Sequence, residues 1–514
     1  MAPTFAEGPL RVTTRSSHHI GSATVRAERV LPASTEALIA ALADSGLDLV
    51  SAVDLVPRRP HTGGSRAGST ASGSDQTAPV RVELDLARSD DGVVLLECDG
   101  VYSWHFPVHP TAGPGSAAAD RRTVAFDIDV QAKSTGDPWL PAQVASRSAS
   151  ALESAARALV FRFAVPAALQ NGIATLEEHV EPGLLHLTDA DVGAWRRFET
   201  LDQLRLPTDR PVRVLLFVHG TFSSTVGTFG ALAIDENGRE FLRTAISAYD
   251  AVIGFDHRTL SLDPRQNAME LLERFRHHRP GTELAIDVVA HGRGGLVARS
   301  LAEEVLPGGG WLGGVDIAIF VAATNAGTRL AEAARWHETL DLYTNLASLA
   351  ARDLAGLAAR VPLAAVVRGA MSGVGPFVKY LALCAPTDGD VPGLAALVPG
   401  GAYVTELNLP LLEEVESLAE WFVVTSKFHG EVFEDHRLAE LPHDLVSDIC
   451  DLGDSDRVHH TDYFHQPFVI KAMSGWLPLG LGPAGPDGPD GAGLVSAASG
   501  PAASTDAVPQ ALAR

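Results

Sequence analysis

Apolar side chains recur at every second position in the N-terminal part of the chain. This alternation runs through residues 80–86, 93–108 and 123–130, with Gly and Pro between the runs. A period of two is typical of antiparallel strands that bury one face. Residues 34–45 have the spacing of a helix instead. The pattern therefore predicts a small α+β module over residues 1–140, in which no group of side chains suggests a reaction.

Three further segments are predicted from composition and spacing. Residues 57–79 are rich in Arg, Gly, Ser and Thr, and residues 479–514 are mostly Gly, Pro, Ala, Ser and Asp. Neither segment can bury enough apolar surface to order itself, so both are expected to be disordered. A helical pattern over residues 146–168 predicts that residues 141–204 form a helical connector.

From residue 212 onward, short apolar runs alternate with helical segments. The predicted strands cover residues 212–218, 249–255, 284–289, 316–322 and 421–425. Strands that alternate with helices imply a mostly parallel sheet with helices on both faces. The pattern thus predicts an α/β domain over residues 205–478, whose last helix covers residues 467–476.

The charge balance limits the partners that this chain can have. Its formal net charge is −23, which argues against nucleic acid and anionic membrane surfaces. No apolar run approaches the length of a membrane span and the start has no signal-peptide pattern, so we expect a cytoplasmic protein without stable membrane insertion. Cys98, Cys384 and Cys450 are far apart in the sequence and lack metal-ligand spacing. We therefore expect no metal and no other cofactor.

A glycine-rich turn joins the strand at 284–289 to a helix at 296–306. Its sequence is Ala290-His291-Gly292-Arg293-Gly294-Gly295. Strand, turn and helix in this order match the Gly-x-Ser-x-Gly nucleophile elbow, in which the serine stands on the turn. Gly292 takes the place of that serine and has no side chain with which to attack a carbonyl. A phosphate-binding loop and a purely structural turn are the alternatives, although the Lys-Ser/Thr pair of a P-loop is absent.

A second turn supplies candidates for an oxyanion hole. His219 and Gly220 follow the strand at 212–218, about 70 residues before the elbow. In serine hydrolases of this design, the N–H after the His-Gly pair and the N–H after the nucleophile point at the developing oxyanion. The two donors here are expected to be the amides of Thr221 and Arg293.

A catalytic triad also needs an acid and then a histidine, both after the elbow in sequence. Asp444 is the favoured acid because two apolar residues follow it, and His460 is the favoured base. The competing candidates for the acid are Asp435, Asp454 and Asp456, and those for the base are His459 and then His465.

Residues 205–478 resemble the α/β-hydrolases of the bacterial lipase and esterase group. The matching segments are Val218-His219-Gly220-Thr221, His291-Gly292-Arg293-Gly294-Gly295, Thr324-Asn325-Ala326-Gly327-Thr328, Val398-Pro399-Gly400-Gly401-Ala402-Tyr403-Val404-Thr405-Glu406-Leu407-Asn408 and His460-Thr461-Asp462-Tyr463-Phe464. The resemblance implies an α/β-hydrolase fold, and hydrolysis of a small-molecule ester through an acyl-serine. It also implies that Phe222, His291 and Asn325 contact the substrate. The chain departs from the group at Gly292.

Residues 330–395 are expected to form a helical cap. The segment is rich in Leu, Ala and Val, and few charged residues lie between 345 and 380. Lipase-like enzymes carry a cap at this point that roofs the active site, and an apolar inner face would suit an acyl chain. The alternative is a helical hairpin that packs on the sheet and has no gating role.

Three hypotheses about function follow. The first is a serine carboxylic-ester hydrolase in which glycine has been substituted for the nucleophile, so that the chain is inactive or strongly impaired. The second is a natural non-catalytic relative that binds a ligand or serves as a scaffold. A third and weaker hypothesis is direct attack by water, assisted by His460 without a covalent intermediate.

Overall fold

Strands of the N-terminal part form two antiparallel sheets that pack face to face. The computed structural model describes residues 4–14, 20–26, 31–57, 80–98, 100–108, 121–128, 156–166, 172–178, 180–276, 283–309, 313–355, 363–384, 387, 389–409, 419–428, 446–455, 458 and 460–480. Residues 58–79 of the loop predicted at 57–79, and residues 481–514 of the tail predicted at 479–514, lie outside these residues.

The two sheets are built from strands β1 to β9. Their bounds are β1 Thr4–Glu7, β2 Leu10–Thr14, β3 Ile20–Arg26, β4 Asp48–Pro57, β5 Val80–Ala87, β6 Asp90–Cys98, β7 Val101–His105, β8 Arg121–Ile128 and β9 Ala156–Ala164, with one helix, α1, at Ala33–Asp44. One sheet has the order β1-β2-β5-β8, and the other has the order β3-β4-β9-β6-β7. Val82 and Phe126 of the first sheet share a buried cluster with Val94 and Val160 of the second.

The helix predicted over residues 146–168 is wrong where the structure describes it. Residues 156–164 form β9, which lies between β4 and β6. Ala, Leu and Arg favour a helix locally, but β9 is covered on both faces. Val160 packs between the two sheets and Phe161 packs on the outer side of its own sheet. A strand buried on both faces loses the alternation that identifies a strand in sequence. The described part of the predicted helical connector otherwise holds one α-helix of four residues, Ile173–Leu176, two 3-10 helices of three residues each, and two strands.

The second part of the chain is an α/β domain with an eight-stranded sheet of order β11-β10-β13-β12-β14-β15-β16-β17. The strands are β10 Gly183–His186, β11 Arg196–Phe198, β12 Val212–Val218, β13 Ala251–Asp256, β14 Leu284–His291, β15 Gly313–Val321, β16 Glu420–Phe428 and β17 Val446–Ser455. Strands β12 to β17 are parallel, and β10 and β11 are antiparallel at one edge.

The helices of this domain connect the strands and cover the sheet. They are α2 Thr225–Phe229, α3 Glu236–Ala248, α4 Pro264–Arg276, α5 Gly294–Arg299, α6 Trp336–Ala355, α7 Leu363–Ala370, α8 Val374–Leu383 and α9 Pro467–Trp476, with shorter turns at Pro392–Ala395 and Ala402–Leu407. Each of the five predicted apolar runs lies within or across one of the strands β12 to β16. Strand β17 was not predicted, because its side chains at Ser447, Asp448 and Ile449 are exposed and it is an edge strand.

The insertion between β15 and β16 is helical, as predicted for the cap. Its apolar side chains, however, do not mainly face the sheet or a pocket. Trp336 and Phe377 share one buried cluster with Leu95 and Phe161 of the N-terminal module. The cap helices therefore lie between the two parts of the chain. None of the helices that the structure describes is long and apolar enough to cross a membrane.

Candidate functional site

The elbow turn has the strand, turn and helix order that the sequence predicts. Strand β14 ends at His291, and α5 begins at Gly294. Gly292 between them has a φ of +54°, a backbone conformation in which a side chain is strained. Its amide donates a hydrogen bond of 3.0 Å to the carbonyl of Val321 at the end of β15. The turn is thus tied to the carboxyl edge of the parallel sheet.

The next two glycines are required by close packing. A Cβ atom on Gly294 would lie 2.3 Å from the carbonyl oxygen of Val218, and one on Gly295 would lie 2.5 Å from the Cβ of Ala323. Any side chain at either position would collide with a neighbouring strand end. The small residues of the elbow therefore let α5 start directly against the ends of β12 and β15.

The amides of Thr221 and Arg293 lie on the two loops that meet beside Gly292. A Cβ atom on Gly220 would be 3.7 Å from the Arg293 nitrogen, so the two loops are in contact. Among the hydrogen bonds of the described residues, neither amide donates to another protein group. Two free N–H groups at this place are what an oxyanion hole requires.

His219 lies behind this turn and shapes it. Its Nδ1 donates to the Gly220 carbonyl at 2.9 Å, and its Nε2 accepts from the His257 amide at 3.2 Å. The rings of His219 and His257 stack with centroids 4.0 Å apart. Burial lowers the pKa of both imidazoles. Both rings therefore stay neutral and act as internal supports.

His460 faces the elbow glycine from the other side. It follows β17 and is 7% exposed. A Cβ atom on Gly292 would lie 3.0 Å from His460 Nε2 and 3.3 Å from its Cε1. The imidazole therefore occupies part of the space that a side chain at position 292 would need. A Cβ atom fits there only if the ring moves by a few tenths of an ångström.

His291 supports His460 through its backbone. The Nε2 of His291 donates to the His460 carbonyl at 2.7 Å, which leaves its Nδ1 without a proton. That Nδ1 is buried and has no hydrogen-bond partner among the described residues. Burial lowers the pKa of His291 to about 4. His291 is thus a neutral residue that positions His460, in addition to lining the cavity described below.

The side chain of Arg293 is turned away from Gly292 and is fully buried. Its Nη2 donates to the Leu262 carbonyl at 2.6 Å and to Asn267 Oδ1 at 2.8 Å. Burial lowers the pKa of the guanidinium to about 10. The side chain joins the elbow to the loops before α4, while the amide remains beside Gly292.

A small cavity lies against His460 and Thr221. Its volume is about 20 Å³, and it is lined by Thr221, Ser223, Gly227, Thr228, His291, Tyr343, Ala347, Ala370, His460 and Thr461. By this measure one water molecule needs roughly 10–15 Å³. The cavity therefore has room for only a very small group. Tyr343, Ala347 and Ala370 of the cap line this cavity, whereas other apolar cap side chains, such as Trp336 and Phe377, pack on the N-terminal module.

Two of the residues expected to contact a substrate lie elsewhere. Phe222, with a φ of +60°, turns its fully buried ring into the cap, 4.9 Å from the ring of Tyr343 and 5.2 Å from that of Phe377. Asn325 is fully buried and its carbonyl accepts from Asn408 Nδ2 at 2.9 Å. Sequence reasoning missed Tyr343, which helix α6 of the cap brings to the cavity, and Ser223, which lies two residues after Thr221. Thr461 adjoins His460 and could have been inferred.

The candidate acids are not placed by the structure. Asp435, Asp444 and Asp456 lie outside the described residues, as do His459 and the side chain of Asp454. The described strands do fix one constraint. Val446, the first residue of β17, pairs with Trp421 near the start of β16, whereas His460 follows the other end of β17. Since Asp444 precedes Val446 by only two residues, this register disfavours Asp444 and does not choose among Asp435, Asp454 and Asp456.

Family models match both parts of the chain. One that is described as a domain of unknown function, DUF7379, matches residues 182–451, a little more than half of the chain. Another, DUF7362, is also described as a domain of unknown function and matches residues 7–170. Among curated proteins, none matches the chain.

Several solved structures are similar to the chain at low identity. An enzyme that degrades N-acyl homoserine lactone, Est816, is 15% identical over 53% of this chain and 99% of its own, with a TM-score of 0.31. A lipase-esterase related protein from Clostridium acetobutylicum is 11% identical over 53% and 97%, with a TM-score of 0.30. A peroxisomal α/β-hydrolase from Saccharomyces cerevisiae is 14% identical over 52% and 78%, with a TM-score of 0.33.

Proposed function

The chain belongs to the family of the domain of unknown function DUF7379, and we propose that its second domain holds a carboxylic-ester hydrolase site without a nucleophile. One observation carries this proposal. Gly292 stands on the elbow turn between two free amides, those of Thr221 and Arg293, and the Nε2 of His460, which is 3.0 Å from the position of a Cβ atom.

The roles of these groups follow from acyl-transfer chemistry. In a serine hydrolase, the hydroxyl oxygen attacks the ester carbonyl, an imidazole takes its proton, and two N–H groups stabilise the oxyanion. Here the imidazole and the N–H groups surround a residue that has no hydroxyl. The chain as it stands would therefore bind a carbonyl or carboxylate group at the two amides and form no acyl-enzyme.

The packing around Gly292 supports binding without turnover. Glycine removes the strain of a side chain at a φ of +54°. It also lets His460 approach more closely than a serine would allow, because a Cβ atom would be only 3.0 Å from Nε2. The site is thus packed around glycine itself. This arrangement fits the second hypothesis of the sequence analysis, a non-catalytic ligand-binding protein, on a site of the hydrolase type.

A second candidate function is slow hydrolysis by water. The cavity beside His460 has room for one water molecule, and the side chains of Thr221 and Ser223 are part of its wall. The water oxygen would bond to the ester carbonyl carbon while Nε2 of His460 takes a proton. The bond to the alcohol oxygen would then break, and that oxygen would recover the proton from His460.

The test compares the chain as it stands with Gly292→Ser and Gly292→Ala. The two variants carry the same Cβ atom and differ only in the hydroxyl, so Gly292→Ala controls for the contact with His460. We expect Gly292→Ser to hydrolyse p-nitrophenyl acetate and the other two proteins to be slower by several orders of magnitude, since loss of a triad serine costs about 10⁶ in turnover. Equal rates in all three would contradict the proposal. A rate in the glycine protein that His460→Ala abolishes would favour the water mechanism.

A further inference from the structure

The N-terminal module meets the cap at the edge of its second sheet. Strand β7 is the last strand in the order β3-β4-β9-β6-β7, so in the part of the chain that the structure describes one side of its backbone has no strand beside it. Such an edge leaves N–H and C=O groups without partners unless another element covers them. Helix α6 of the cap covers this edge.

The side chain of Asn345 takes the place of a neighbouring strand. Its Oδ1 accepts from the Tyr102 amide at 2.8 Å, and its Nδ2 donates to the Tyr102 carbonyl at 2.7 Å. Four residues earlier on α6, Asp341 Oδ1 accepts from the Trp104 amide at 2.7 Å. The edge of β7 is therefore satisfied by side chains from one face of α6.

Further contacts hold the same helix and the next one. The Nε1 of Trp104 donates to Thr344 Oγ1 at 2.9 Å, and Arg352 donates to the Gly100 carbonyl. On α8, a Cβ atom on Gly375 would lie 2.3 Å from the Cβ of Ser45, which directly follows α1. The contacts of these two helices with the module are close, and most of them are buried.

The other side of α6 forms the roof of the cavity. Tyr343 and Ala347 both line it. The Tyr343 ring stands at 87° to the His460 ring with centroids 6.3 Å apart, and it packs edge-on against Phe222. Tyr343 and Asn345 are two residues apart and so point to different sides of the helix. One helix thus contacts the module on one side and His460 on the other.

We infer that the N-terminal module determines the specificity of the site by holding α6, so that Tyr343 and Ala347 restrict the pocket to short acyl groups. This inference rests on the proposed function. A cap held only by the hydrolase domain could move outward to admit a longer chain. Here such a movement would expose the Tyr102 and Trp104 backbone groups and open the cluster that joins Trp336 and Phe377 to Leu95 and Phe161.

The test uses the full chain with Gly292→Ser and a series of p-nitrophenyl esters from acetate to octanoate. We expect acetate to be the best substrate, and kcat/KM for octanoate to be at least about 100-fold lower, since a closed pocket cannot take the added methylenes. Tyr343→Ala widens the cavity wall directly, and Asn345→Ala removes two of the hydrogen bonds between the helix and β7 without touching the wall. Each should raise the octanoate-to-acetate ratio about tenfold or more. Glu338→Ala, on the same helix, is the matched control and should leave the ratio unchanged, because among the described residues Glu338 has no hydrogen bond or ion pair with the module.

Hydrogen exchange of the α6 amides provides a readout that does not depend on activity. Asn345→Ala should speed exchange across residues 336–355, and Glu338→Ala should not. If esters are hydrolysed but neither Tyr343→Ala nor Asn345→Ala changes the ratio, the inference is overturned. If Gly292→Ser hydrolyses no ester, the proposed function fails instead. In that case the exchange rates still test the module. If the α6 amides exchange equally fast in Asn345→Ala and Glu338→Ala, the module does not hold the helix.

Discussion

The Nε2 atom of His460 lies 3.0 Å from the point at which residue 292 would carry a Cβ atom. The imidazole of His460 is therefore closer to the elbow than a Cβ atom at position 292 would allow, unless the ring moved slightly. The two amides beside Gly292 remain free among the described residues. The site keeps the acceptor and donor groups of acyl transfer around a residue that cannot attack.

Gly292→Ala should destabilise the chain. A residue with a Cβ atom at a φ of +54° costs about 1–2 kcal/mol, and the contact with His460 adds to this. We expect the free energy of unfolding to fall by about 2 kcal/mol in urea titrations. Gly308→Ala is the control, because a Cβ atom there meets nothing within 4 Å and φ is not positive. A change in Gly292→Ala no larger than in that control would contradict the strain argument.

His291 should make the stability of the chain depend on pH. Burial lowers its pKa to about 4 in the folded state, against about 6.5 in the unfolded chain. Between these values the unfolded state binds more protons, so stability is full above about pH 6.5 and falls as the pH is lowered toward 4. The contribution of this one group between pH 7 and pH 5 is about 2 kcal/mol.

His291→Gln provides the comparison for that prediction. The glutamine amide can still donate to the His460 carbonyl, but it does not titrate. His219 and His257 also have lowered pKa values and act in the same direction, so only the difference between the two proteins is informative. Urea unfolding at pH 7 and pH 5 should show a smaller loss of stability in His291→Gln. Identical losses would show that His291 does not titrate as its burial implies.

His460 should be required for reaction with a fluorophosphonate probe. In the Gly292→Ser background, the imidazole must take the hydroxyl proton before the oxygen can attack. We expect His460→Ala to abolish labelling, as measured by intact-protein mass spectrometry. His465→Ala is the control, since His465 is absent from the lining of the cavity. Full labelling of the His460→Ala variant would shift the base to His459 or His465.

The acid of the triad should be Asp435, Asp454 or Asp456 and not Asp444. Removing the charge of a triad acid lowers turnover by up to about 10⁴ with little change in fold. In the Gly292→Ser background we therefore expect Asp444→Asn to leave kcat nearly unchanged and one of Asp435→Asn, Asp454→Asn and Asp456→Asn to lower it strongly. The reason is the register of β17, whose first residue pairs near the start of β16. The opposite result would restore the acid that the sequence favoured.

Local sequence was sufficient to locate the elbow and the strands around it. Strand β12 is a run of seven residues that are almost all buried, and β13 is buried throughout. Such strands appear in sequence as short continuous apolar runs. The turn after β14 was also predictable, because a positive φ at Gly292 and the tight contacts at Gly294 and Gly295 need glycine. These features depend on a few neighbouring residues.

Other features depend on contacts between distant parts of the chain. Strand β9 has the composition of a helix, and it is a strand because β4 and β6 lie on either side of it. The sequence pattern of the cap would be the same whether its apolar side chains faced a pocket or the N-terminal module. A pattern shows that a face is buried, but it does not show what covers it.

The sequence by itself determined the parallel sheet, the elbow and the absence of a nucleophile at Gly292. Only the tertiary structure decided that His460 fills part of the space at position 292 and that α6 joins the module to the roof of the site. The physical reason is the distance along the chain between the residues that interact. Backbone conformation and side-chain period are set by adjacent residues, whereas the size of a cavity is set by surfaces that meet only when the whole chain has folded.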